Sequence, residues 1–86
     1  MSNINLDERE QLEELLFEAH FSAQKYLESG KGVHRKLLEV SVSDAMHMLS
    51  ELSTKLQGDE YAENYKLHLF VPLHLCKLLE MRDEQE

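Results

Sequence analysis

A single cysteine, Cys76, rules out an internal disulfide in this chain, and with it the disulfide frameworks that hold many small secreted domains together. One thiol is also too few for a Cys-rich zinc site. With one proline and three glycines in 86 residues there is no Pro/Gly-rich linker, and the chain carries no internal repeat and no low-complexity tract. Basic residues are scarce, 9 against 17 acidic ones for a net charge of −8, so the surface repels phosphate backbones. That argues against a nucleic-acid reader and makes basic partners the natural complement. The longest apolar run, Leu67 to Leu79, is about 13 residues and includes Lys77 and two histidines, against the roughly 20 residues a bilayer span needs. No membrane association is expected. The opening MSNINLDEREQLEE is polar and acidic with no apolar stretch of the kind an export signal carries, so the expected location is a reducing cytoplasm.

What is present is helical periodicity in one short domain spanning residues 1–86. A chain of this length buries only about 60 to 65% of the surface its unfolded form exposes, so its core is thin. SGKG at Ser29 to Gly32 and QGD at Gln57 to Asp59 divide it into three segments.

In the first segment, Leu12, Leu15, Leu16, Ala19, Ala23, Tyr26 and Leu27 recur at three- and four-residue spacing, with Phe17 and Phe21 widening the stripe. Asp7 with Glu10 forms a candidate N-cap, and Gly30 suits the position just past the helix end. This predicts a helix over about 7–29. The second segment places Leu38, Val42, Ala45, Leu49, Leu52 and Leu56 at alternating spacings of four and three, flanked by Val33, Leu37, Met46 and Met48, which predicts a helix over about 33–57. The third begins at Asp59 as cap, with Glu60 and Glu63 in its first turn, and is expected over about 59–82 before the last residues, Asp83 to Glu86, fray. The expected fold is therefore all-α, an antiparallel three-helix bundle, with a fourth helix arising only if the chain breaks near Ser41 or Pro72.

The third segment is apolar nearly all round. Tyr61, Tyr65, Leu69, Pro72, Cys76 and Leu79 lie along one face of a helix, while Leu67, Phe70, Val71, Leu75 and Leu78 cover much of the rest. A helix of that kind is normally central, and a three-helix bundle has no central position. The second set is therefore the candidate partner-binding surface, for another protein or a second copy of the chain.

Catalytic and metal chemistry find little support. His68 and His74 are six residues apart, and His20, His34 and His47 lack a histidine three or four residues away. Only Asp44 and His47 share a face, and no Glu-x-x-His occurs. His68 and His74 are expected to be partly buried at helix edges, each with one ring nitrogen bonded to a neighbour. His74 and Cys76, two apart, do not face each other on a helix, and GKG at Gly30 to Gly32 lacks the length and the following Lys-Ser/Thr of a phosphate-binding loop. No cofactor and no metal are expected. Two secondary surfaces remain: the acidic face Glu10, Glu13, Glu14 and Glu18, and the basic turn Lys31, Arg35 and Lys36 with His34. Met46, Met48 and Met81 read as core filling.

Together these features describe a small acidic non-catalytic protein-binding module of adaptor, chaperone or inhibitor type, dimeric or part of a hetero-complex through its third helix. The alternatives are an acidic nucleic-acid mimic that inhibits a basic protein and, less favoured by the spacings, a histidine-based metal-binding helical protein.

Overall fold

The structure, a computed structural model, describes residues 4–85, with Gln85 described by its backbone alone. Three helices pack as an all-α bundle: α1 Leu6–Ser29, α2 Gly32–Glu51 and α3 Ala62–Gln85. Helices adjacent in sequence run antiparallel, so α1 and α3 run the same way. This is seen in Arg9 of α1 bonding Tyr65 of α3 near one end, and Arg35 of α2 bonding Asp83 of α3 near the other. The body is elongated, 47 × 21 × 16 Å.

The start of α1 is set by Asn5 rather than Asp7. The Asn5 Oδ1 accepts the Glu8 N–H at 2.8 Å and the Glu8 Oε1 accepts the Asn5 N–H at 3.2 Å, a complete capping box one register earlier than Asp7/Glu10. Gly30 closes α1 in the left-handed conformation (φ 69°), donating its N–H to the Tyr26 carbonyl at 2.7 Å; a side chain there would be strained. Two residues on, at Gly32, α2 begins.

α2 stops at Glu51, six residues short of the expected 57. Ser53 N–H bonds the Ser50 carbonyl, Gln57 the Thr54 carbonyl and Asp59 the Leu56 carbonyl, a chain of tight turns that replaces the helix. The apolar spacing runs on regardless, because Leu52 and Leu56 are still buried in the core from within those turns. α3 starts at Ala62, later than expected, and continues through Asp83 to Gln85. Asp83 is helical and bonds Arg35 at that end; Glu86 lies outside the described residues. Neither Ser41 nor Pro72 divides a helix. Ser41 is buried inside α2, and Pro72 sits fully buried within an uninterrupted α3.

Among the described residues the buried apolar side chains form one cluster. It draws on Leu12, Leu16, Ala19 and Ala23 of α1, Leu38, Val42 and Ala45 of α2, Leu52 and Leu56 of the connection, and Tyr65, Leu69, Cys76 and Leu79 of α3. Small residues concentrate where α1 meets α2, with Ser22 and Ser41 buried beside the alanines, which lets those helix backbones approach closely. Several apolar residues expected to pack instead face water: Phe17, Phe21, Leu27, Val33 and Leu37, with Met46 and Met81. Of the three methionines read as core, only Met48 packs against the cluster.

A polar latch fixes the turn before α3 onto α1. The Arg9 Nη2 donates to the Asp59 Oδ2 and the Arg9 Nη1 to the Tyr65 hydroxyl, both at 2.5 Å, and that hydroxyl lies 3.3 Å from the Glu13 Oε1, to which it donates. The guanidinium also lies over the rings of Tyr61 and Tyr65, 5.1 and 5.8 Å from their centroids. Asp59 is the buried member, its side chain 2% exposed, and it accepts the Tyr61 N–H as well. Asp59 raises the Arg9 pKa further, keeping it charged, and burial pushes the Tyr65 hydroxyl up. Replacing Arg9 with Met is expected to lower stability by about 2 kcal/mol, measured by urea unfolding, because the buried Asp59 carboxylate loses its counter-charge. A change under a few tenths would mean that the latch is incidental.

Two exposed pairs make the fold acid-sensitive. Lys55 and the Asn5 N–H hold the Glu8 carboxyl below its ordinary value, and Arg35 does the same to Asp83. Folded-state pKa values below the unfolded ones give stability that is present above about pH 4 and lost as pH falls through the folded values. Thermal melts from pH 6 to pH 3 are expected to show this loss, and Arg35→Gln to make its pH dependence shallower by removing the Asp83 share.

Candidate protein interface

α3 carries two apolar stripes of identical spacing. Tyr65, Leu69, Pro72, Cys76 and Leu79 step by four and three and point into the bundle, where all are buried. Leu67, Val71, His74, Leu78 and Met81 repeat the same steps two positions on, about 200° further around the helix, and point outward. Leu67 is 67% exposed, Val71 58%, Leu78 48% and Met81 56%, and Phe70 beside them is 63% exposed. α1 and α2 cover the inner stripe and leave the outer one bare.

Four of the five residues expected at the partner surface, Leu67, Phe70, Val71 and Leu78, thus share this face. Leu75 does not: it lies at the helix flank, half-buried against the core cluster. Two members of the face were not foreseen. Met81 was assigned to the core and His74 to a half-buried edge, yet His74 is exposed and stacks parallel to Phe70, ring centroids 5.8 Å apart and planes 4° from parallel. Their signal was available in the spacing, because 67, 71, 74, 78 and 81 form a second heptad-like series.

Two further aromatics are exposed on α1. Phe17 and Phe21 stack on each other at 6.3 Å, and the Lys25 ammonium lies 5.4 Å from the Phe21 ring centroid. Phe17 also borders a groove of about 530 Å³ between α1 and the start of α3, with Tyr61 and Tyr65 in its walls. His20 and His68 meet edge-to-face in that groove with centroids 5.6 Å apart, and the His20 Nε2 is buried without a hydrogen-bond partner among the described residues. His68 is exposed rather than half-buried.

The secondary surfaces separate on the same basis. Glu10, Glu14 and Glu18 are exposed, whereas Glu13, also exposed, accepts the Tyr65 hydroxyl as part of the latch. In the basic turn Lys31 and Lys36 are exposed, but the Arg35 guanidinium is committed to Glu39 at 3.0 Å and to Asp83. His47 pairs with Glu51 at 2.8 Å rather than with Asp44.

Among the described residues no group of three or more His, Cys, Asp or Glu side chains converges on a point where a metal could sit, and no helix is long and apolar enough to cross a membrane. Cys76 is buried on the inner stripe, and burial, reinforced by Glu39 and Glu80, pushes its thiol up, away from the reactive thiolate. A disulfide reagent is therefore expected to label Cys76 at least about tenfold more slowly in the folded chain than in urea. Equal rates would mean that α3 opens freely.

The chain matches no family model, no curated protein and no solved structure.

Proposed function

We propose that the chain is a non-catalytic protein-binding module whose working surface is the outer face of α3. The observation that carries this reading is the bare stripe Leu67, Val71, Leu78 and Met81 with Phe70, all about half exposed or more on a helix whose opposite face is already buried. Burying such side chains contributes about 1.5 to 3 kcal/mol each, enough in sum to outweigh the cost of association. None of these five side chains is among those that form or pack against the core cluster. An adaptor, a chaperone or an inhibitor would use the same surface in the same way.

The acidic face of α1 supports a second reading, a mimic of a phosphate backbone, because Glu10, Glu14 and Glu18 stand exposed with no ion pair among the described contacts. The two readings respond oppositely to substitution. Val71→Asp with Leu78→Asp is expected to preserve the helical circular dichroism while abolishing binding to the proteins that co-purify with the chain from its native cell. Glu10→Lys with Glu14→Lys is expected to leave that binding intact. The reverse pattern would assign function to the acidic face, and loss of folding in the Asp variant would show that the outer stripe belongs to the core.

A further inference from the structure

We infer that the occupant of the outer α3 face is a second copy of the same chain, paired antiparallel so that the two His74 side chains meet near the two-fold axis; this rests on that face being the working surface.

The first reason is charge. In a chain with 17 acidic residues, the stretch from Asn64 to Arg82 contains a single carboxylate, Glu80, and it turns toward the groove with α2 beside Glu39 and Cys76. Outside residues 64–82 only residues 19–38 are as poor in carboxylates, so two copies of a protein carrying a net charge of −8 can meet along this helix without bringing acidic side chains together. The second reason is area. The exposed parts of Leu67, Phe70, Val71, Leu78 and Met81 amount to roughly 600 Å² per copy, and the stems of Lys66, Lys77 and His74 bring the patch close to the roughly 800 Å² per partner of a stable interface.

Direction follows from the register. The stripe is centred on His74, so antiparallel pairing sets Leu67 against the other copy's Met81 and Val71 against its Leu78, large against large in every layer. On the flank it brings Lys77 over the other copy's Phe70, and Lys66 within reach of its Glu84. Glu63 is the unfavourable member, ending near that same Glu84, but Glu63 already has Lys66 at 3.6 Å. Parallel pairing would instead set Lys77 against the other copy's Arg82 and stack each residue on itself. The antiparallel arrangement also opposes the two helix dipoles.

Sedimentation equilibrium of the full chain is expected to show a dimer that Val71→Asp weakens beyond detection. His74→Leu should tighten it by roughly tenfold, because it removes two polar rings from the centre of an apolar seam. Direction is read by disulfide cross-linking. A mixture of Leu67→Cys and Met81→Cys chains should cross-link to the mixed dimer while neither variant cross-links to itself. Self-linking of each variant would overturn the antiparallel register. A monomer at all concentrations up to about 100 μM would overturn self-pairing altogether. In that case an apolar dye whose binding is lost in Val71→Asp would leave the protein-binding reading of the face standing, and absence of dye binding would remove that reading too.

Discussion

The structure depends on the burial of one stripe of α3 against the α1–α2 hairpin. In a three-helix bundle each helix has two neighbours, both on one side, so about half of its surface stays uncovered. All three helices leave apolar side chains outside, with Phe17, Phe21 and Leu27 on α1 and Val33, Leu37 and Met46 on α2. α3 differs in arrangement. Tyr65, Leu69, Pro72, Cys76 and Leu79 fill its inner face, and the residues two positions further on are just as apolar and share one line. Uncovered apolar surface is therefore a property of the architecture, and α3 gathers its share into a single stripe.

Which of the two stripes turns inward is settled by polar groups at one end of the helix. The inner stripe begins at Tyr65, whose hydroxyl is held by Arg9 and donates to Glu13, while Arg9 reaches past it to the buried carboxylate of Asp59. The outer stripe begins at Leu67, which has no polar end to anchor. Rotating α3 by half a turn would carry the Tyr65 hydroxyl away from Arg9 and Glu13, so the latch selects between faces that apolar burial alone would leave nearly equivalent. Arg35 with Asp83 performs a weaker version of the same selection at the far end, where both partners are exposed.

What was legible in the sequence divides along the same line. Fold class and the existence of three helices followed from periodicity, because the inward leucines and alanines of α1 and α2 recur every three or four residues. Boundaries were harder. Leu52 and Leu56 keep the helical phase of α2 although they sit in consecutive tight turns, since a turn segment lying on the core presents leucines inward just as a helix does. The cap of α1 was ambiguous between Asn5/Glu8 and Asp7/Glu10, two overlapping versions of one signal. On the exposed face of α3, Leu67, Phe70, Val71 and Leu78 were readable from their excess, whereas Leu75, Met81 and His74 were misplaced. Their assignment turns on the rotation of α3 by a few tens of degrees, and that rotation is fixed by Arg9, more than fifty residues away in sequence.

A bare apolar stripe in a small protein invites indiscriminate association, and the composition of the face limits it. His74 interrupts the stripe at its centre, so an arbitrary apolar partner would have to bury an imidazole with no group supplied to meet it. Lys66 and Lys77 line one edge, in a chain otherwise rich in carboxylates, so a partner of the proposed kind would also have to accept two ammonium groups there. Under that proposal attraction would come from five apolar side chains and selectivity from three polar ones, a narrower demand than hydrophobicity alone. The uninterrupted helix at Pro72 matters here as well. A proline in a helix interior costs about 3 kcal/mol, and placing its ring fully inside the core keeps that irregularity away from the outer face, whose residues hold one register from Leu67 to Met81.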